Sequence, residues 1–206
     1  MRPTVSALSS LLLVSLAACG ERAAPEPQTP ETGTEVPAPN GETAPADTHP
    51  DLSAYEDAEF FLDYTFAAGQ TPLRIPEGLG WEADGGGYLL TGTLDELPAS
   101  SGFTGGVALE IPTGTATVLS GNSVEVFFVA SAPQTSEFAL AYSTNDDGDS
   151  GWHRFEAGET PQAFTFTFDV PAIEAGSGDY IGIAPLSGGP LVVHAVGARM
   201  TGEAGN

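Results

Sequence analysis

From Phe164 to Phe168 the chain reads FTFTF, a phenylalanine at every second position with threonine between. Successive side chains of a β-strand point to opposite faces, so this spacing puts three rings on one side of a sheet. The same period of two returns along the chain. Phe138, Leu140 and Tyr142 alternate with alanines, and SVEVFFVA sets Val124, Val126 and Phe128 against Glu125. Further strands are predicted over Glu59–Phe66, Tyr88–Thr93, Val107–Ile111, Asp179–Ala184 and Leu191–Met200. Helical patterning is poor, because glycine and proline recur every few residues. ADGGGY and LSGNS supply tight reversals, and Pro76, Pro98, Pro112, Pro133, Pro171 and Pro185 fall between strands or at their ends. Half-buried strands at this spacing predict an all-β, antiparallel β-sandwich over residues 51–206.

The succession GW…DGGGYLLTGT, GGVALEIP, LSGNSVEVFFVASA, FALAYSTND, FTFTFDVP, DYIGIAP and LVVHAVGARM resembles a galactose-binding-like jelly roll. That is the fold of many non-catalytic carbohydrate-binding modules, and the likeness covers nearly all of residues 58–200. It implies a binding domain rather than an enzyme. In that fold the last strand commonly carries an aspartate beside a structural calcium; here the corresponding position is His194.

The first fifty residues have another character. Arg2 is followed by an uncharged run with an apolar centre of about a dozen residues, too short to span a bilayer, which takes roughly 20. It reads as a signal peptide over residues 1–18. The run ends in LAAC and Gly20, which resembles a bacterial lipobox, so Cys19 is expected to carry diacylglycerol. The resemblance implies a lipid-anchored envelope protein, with the outer membrane favoured because glycine rather than aspartate follows the cysteine. Cys19 is also the only cysteine in the chain, so no internal disulfide can form. Residues 20–50 hold seven of the 17 prolines, six acids and no aromatic residue. Too little apolar surface is present there to offset chain entropy, which predicts a disordered tether over residues 19–50.

Charge narrows the partners. Residues 51–206 carry 22 acids against Arg74, Arg154 and Arg199, a formal charge of −19, and the chain has no lysine. Nucleic acid is excluded, since its phosphates are held by lysine and arginine. A neutral glycan, a cation or an envelope protein remains. No G-x-S-x-G, H-E-x-x-H or G-x-x-x-x-G-K-[ST] pattern occurs, and the chain reads as a non-enzyme.

The segment YSTNDDGDSGWHRF, Tyr142 to Phe155, concentrates the candidate chemistry. Asn145, Asp147, Asp149 and Glu156 occupy the spacing of a calcium loop, although Ser150 stands where the sharp-turn glycine belongs. Trp152, His153 and Arg154, with Asp147 and Asp149, would suit a sugar, whose C–H faces stack on aromatic rings and whose hydroxyls meet charged groups. Trp81, the second tryptophan, stands beside another turn. The plain alternatives are a core position for either tryptophan, a structural role for His153 and His194, and an Asx-rich turn joining two strands. The functions left open are a glycan-binding module and a structural or protein-interaction lipoprotein.

Overall fold

The computed structural model describes residues 49–63, 65, 73–84, 86–99, 105–144, 148–172 and 178–202. They fall within the compact unit Ala44–Asn206. The expected signal peptide, Cys19 and the tether up to residue 48 lie outside the described residues.

Eleven strands are described: β1 (Phe60–Asp63), β2 (Leu73–Arg74), β3 (Gly80–Asp84), β4 (Gly87–Thr91), β5 (Val107–Ile111), β6 (Ser123–Ser131), β7 (Ser136–Ser143), β8 (His153–Ala157), β9 (Gln162–Asp169), β10 (Asp179–Ser187) and β11 (Leu191–Met200). They pair antiparallel in two sheets. The first runs β3-β4-β11-β6-β9, with β1 also on β11, and the second runs β2-β5-β10-β7-β8. From β4 onward the chain crosses repeatedly between the sheets, the winding of a jelly roll. The sequence-predicted class is the observed one.

The core lies where the alternation demands. Phe138, Leu140 and Tyr142 of β7 face Phe164 and Phe166 of β9 and Val126 and Phe128 of β6 in one buried cluster. Phe138 is its hub: Phe164 meets it edge-on at 4.9 Å, and Phe128 and Phe155 pack at 5.2 and 5.7 Å. A fully buried phenylalanine of this kind contributes about 2–3 kcal/mol.

Four features depart from the sequence reading. A short helix, α1 (Thr113–Leu119), follows Pro112, its Ala116 and Leu119 buried three residues apart. Tertiary burial overrides the poor helix propensity of TGTATVL there. Strand β3 escaped notice because its side chains are largely exposed and it lacks a buried period. Pro185, expected just past the end of a strand, sits inside β10, immediately before the register against β7 slips. Finally, the outer face of the first sheet has its own small core. Leu52 and Tyr55, from the turn preceding β1, cover Val129, Ala195 and Phe61, with Tyr55 stacked on Phe127 at 4.2 Å. Arg199 fixes that cover by pairing with Glu125 at 2.6 Å and donating to the Ala54 carbonyl.

Candidate functional site

The hairpin between β7 and β8 is a built turn. Ser150 closes it twice: its N–H donates to the Tyr142 carbonyl, and its hydroxyl accepts from the Tyr142 N–H at 2.9 Å. Gly148 and Gly151 take the positive-φ positions, and the Asp149 carboxylate accepts the Gly151 N–H. Asn145 and Asp147 lie outside the described residues. Asp149 precedes β8 and Glu156 stands near its far end, opposite Glu137, so these two loop members do not converge. Among the described residues no group of three His, Cys, Asp or Glu could hold a metal.

Beyond the turn, alternate residues go to different places. His153 faces inward and stacks on Phe166 at 4.1 Å, closing the sandwich where β8 meets β9. Trp152 and Arg154 fall on the other side, with the outward face of the second sheet. The Trp152 indole N–H donates to the Pro98 carbonyl at 2.9 Å, its ring half-buried, while Arg154 is exposed. Trp81, on β3, instead packs against the core and stacks on Tyr88 at 5.2 Å. It lines a cavity of about 10 Å³ beside Leu109 of β5, room for one water rather than a ligand. The tryptophans occupy opposite flanks of the molecule and share no surface.

The outward face of the second sheet is the unexpected feature. Solvent-side positions of an antiparallel sheet are ordinarily polar. Here they are Ala108 on β5, Gly182 and Ala184 on β10, and Ala139 and Ala141 on β7. Pairing aligns them in rows across the strands. One row is Arg74–Ala108–Gly182–Ala141, and the next is Ala184–Ala139–Arg154. At about 4.8 Å per strand, the span from β2 to β8 is about 19 Å. The small side chains form a floor that is covered in this structure, its alanines 0 to 1% exposed. Arg74 and Tyr180 wall one end, the guanidinium 5.3 Å from the ring centre, and Trp152 and Arg154 wall the other. Glu110 flanks the floor on β5 with its carboxylate turned towards Gly178.

Sequence reasoning found Trp152 and Arg154 but missed Arg74, Tyr180, Glu110 and the floor. The signal was present as small residues in alternate positions of VALE, FALAYS and YIGIA, but only the strand register brings them together.

Three buried polar groups hold the scaffold. Tyr142 donates its hydroxyl to the carboxylate of Asp179, a residue wholly hidden from solvent. Burial, and after it the Asp179 charge, push the Tyr142 hydroxyl far above its ordinary range. His194, where the jelly-roll likeness expects an aspartate, bonds Gly86 through Nδ1 and Ser131 through Nε2, both at 3.0 Å. The Gly86 carbonyl can only accept, so Nδ1 carries the proton and the neutral ring accepts from Ser131 at Nε2. Burial holds the His194 pKa below its usual value; the Gly86 carbonyl opposes this and His49 adds to it. A depressed histidine stabilises the fold above its unfolded pKa near 6.5 and loses that contribution as pH falls through the folded value. Thermal melts should therefore drop between pH 7.5 and 5, and His194→Gln should flatten that slope.

No protein-family model matches the chain, and no curated protein matches it. Solved structures similar to it include the C-terminal family 22 carbohydrate-binding module of Clostridium thermocellum Xyn10B, at 12% identity and a TM-score of 0.48, covering 77% of this chain and 100% of that one. The CBM22-1 xylan-binding domain from Paenibacillus barcinonensis Xyn10C shares 12% identity over 72% of this chain and 97% of its own, with a TM-score of 0.46. The module CBM6cm-2 from Cellvibrio mixtus lichenase 5A, in complex with cellotriose, shares 15% identity over 69% and 97%, with a TM-score of 0.40.

Proposed function

We propose that this chain is a non-catalytic glycan-binding protein, carried on a lipid-anchored tether at Cys19 in a bacterial envelope, with the outward face of the second sheet as its sugar seat. One observation carries the reading: the row Arg74–Ala108–Gly182–Ala141, floored by small side chains, with Trp152 just before the adjoining strand β8. A sugar needs a shallow extended recess, an aromatic face for its C–H groups and hydrogen-bonding groups at the margins. With its floor uncovered the row would supply all three, and its length suits an oligosaccharide rather than a single ring. With −19 on residues 51–206, a neutral glycan is favoured over an anionic one.

Titrating tryptophan fluorescence with neutral hexasaccharides tests the seat. Trp152→Ala should weaken binding roughly 10- to 30-fold, the usual loss for a truncated tryptophan anchor. Trp81→Ala, on the other flank, should leave affinity within about twofold once folding is verified. Absence of binding across neutral hexasaccharides would remove the proposal. The floor alanines are hidden from solvent, between 0 and 1% exposed. That observation favours a second reading, in which the face is internal packing and the domain serves structure or protein contact.

A further inference from the structure

The hidden floor and the route of one connection point to a single arrangement. Strand β4 of the first sheet and β5 of the second are neighbours across the sandwich, since Tyr88 and Leu109 line one cavity. A few residues would join them, yet 15 are used, residues 92 to 106. The described part of this connection, residues 92–99, is bonded to the second sheet at two points. The Leu94 N–H donates to the Pro185 carbonyl on β10 at 2.8 Å, and the Pro98 carbonyl accepts from Trp152 beside β8 at 2.9 Å. Gly105, two residues before β5, packs so closely on Pro98 that a Cβ would collide with its ring. Along this stretch Leu94, Leu97 and Pro98 are half-buried whereas Asp95 and Glu96 are exposed. Apolar side chains turned inward and acids outward are what a strand of chain lying on an apolar floor requires.

We infer that residues 92–99 form a strap across the floor of the second sheet, latched by the Trp152 indole, and that a glycan must displace it to bind. The inference rests on the glycan reading and adds a regulation to it. Trp152 has opposed duties: its ring faces the sugar, and its N–H holds the strap in the sugar's place. Apparent affinity is then the intrinsic affinity multiplied by the fraction of molecules with the strap open. The two latching bonds are single hydrogen bonds, one backbone–backbone and one indole–backbone, so closure is readily reversible.

Two releases avoid the binding residues. Leu94→Pro removes the N–H that bonds Pro185, and Leu97→Asp makes the strap's inner side polar. The full-length chain is used, with Ala141→Cys on the floor as reporter and thiol labelling read by peptide mass spectrometry, which separates this site from Cys19. Binding of neutral hexasaccharides is measured in parallel. The strap account expects either release to speed labelling of position 141 several-fold and to tighten the best hexasaccharide about 3- to 10-fold, one hydrogen bond's worth. Unchanged labelling in both variants overturns the strap. Faster labelling with weaker or unchanged sugar affinity overturns the competition and makes residues 92–99 a wall of the seat. Faster labelling with no sugar bound by any variant overturns the glycan reading, leaving a removable cover over a floor meant for another guest.

Discussion

Replacing Tyr142 by phenylalanine should cost about 2–4 kcal/mol of stability, although the ring and nearly all of its packing are kept. The substitution removes the hydroxyl that donates to the buried Asp179 carboxylate. A hydrogen bond to a buried charged group is worth about 1.5–3 kcal/mol, and a buried acceptor that loses one can cost somewhat more. For a domain of this size each kcal/mol moves Tm by roughly 2–4 °C, so the variant should melt about 5–15 °C lower. The same pair sets an alkaline limit. Tyr142 keeps its proton in the fold far above the pH at which an unfolded tyrosine loses it. Stability should therefore hold below pH 10 and fall steadily above it, as the unfolded state alone releases the proton. Tyr142→Phe should remove that alkaline fall while starting from a lower plateau. Urea melts at pH 7, 9 and 10.5 check both statements, and a variant as stable as wild type at pH 7 would contradict them.

The second large effect is expected at Gly197. This residue lies in the middle of β11, opposite Phe61 on one side and Phe127 on the other. A Cβ added there would overlap the Phe60 carbonyl oxygen and the Phe127 ring. Neither can yield cheaply. The carbonyl belongs to the backbone of β1, and Phe127 is fully buried beneath Tyr55. Overpacking at a rigid site typically costs 1–3 kcal/mol, and the double clash places Gly197→Ala at about 3 kcal/mol or above. The damage should centre on the outer face of the first sheet: hydrogen exchange should rise in residues 52–63 and stay unchanged in β7 and β10. Wild-type melting of Gly197→Ala would show that β1 is free to move away, against the account of the small outer core.

These two sites show what could be read from the chain and what could not. Tyr142 was legible as an inward residue because FALAYS alternates, and Phe164, Phe166 and Phe168 for the same reason. A period of two reports which residues share a face of one strand. It does not report which strand lies beside it, and the sugar seat is a property of neighbours. Arg74, Ala108, Gly182 and Ala141 are far apart in sequence, and only the pairing of β2, β5, β10 and β7 puts them in line. For the same reason Trp81 and Trp152 looked equivalent when each was known only to stand beside a turn. Trp81 is in the sheet that stacks it on Tyr88, whereas Trp152 follows Gly151 onto the flank of the other sheet. Asp179, at the start of a strand, gave no sign that it would be sealed in with a tyrosine 37 residues away. The helix at Thr113–Leu119 was hidden by a composition that favours strands.

Chemical-shift mapping of backbone amides during titration with the tightest neutral hexasaccharide addresses the central claim most directly. The account predicts that the perturbed amides form one patch containing Ala108, Ala141, Gly182 and Trp152, together with residues 92–99. Perturbations confined to the first sheet's outer face near Tyr55 and Phe127, or to β3 around Trp81, would contradict it.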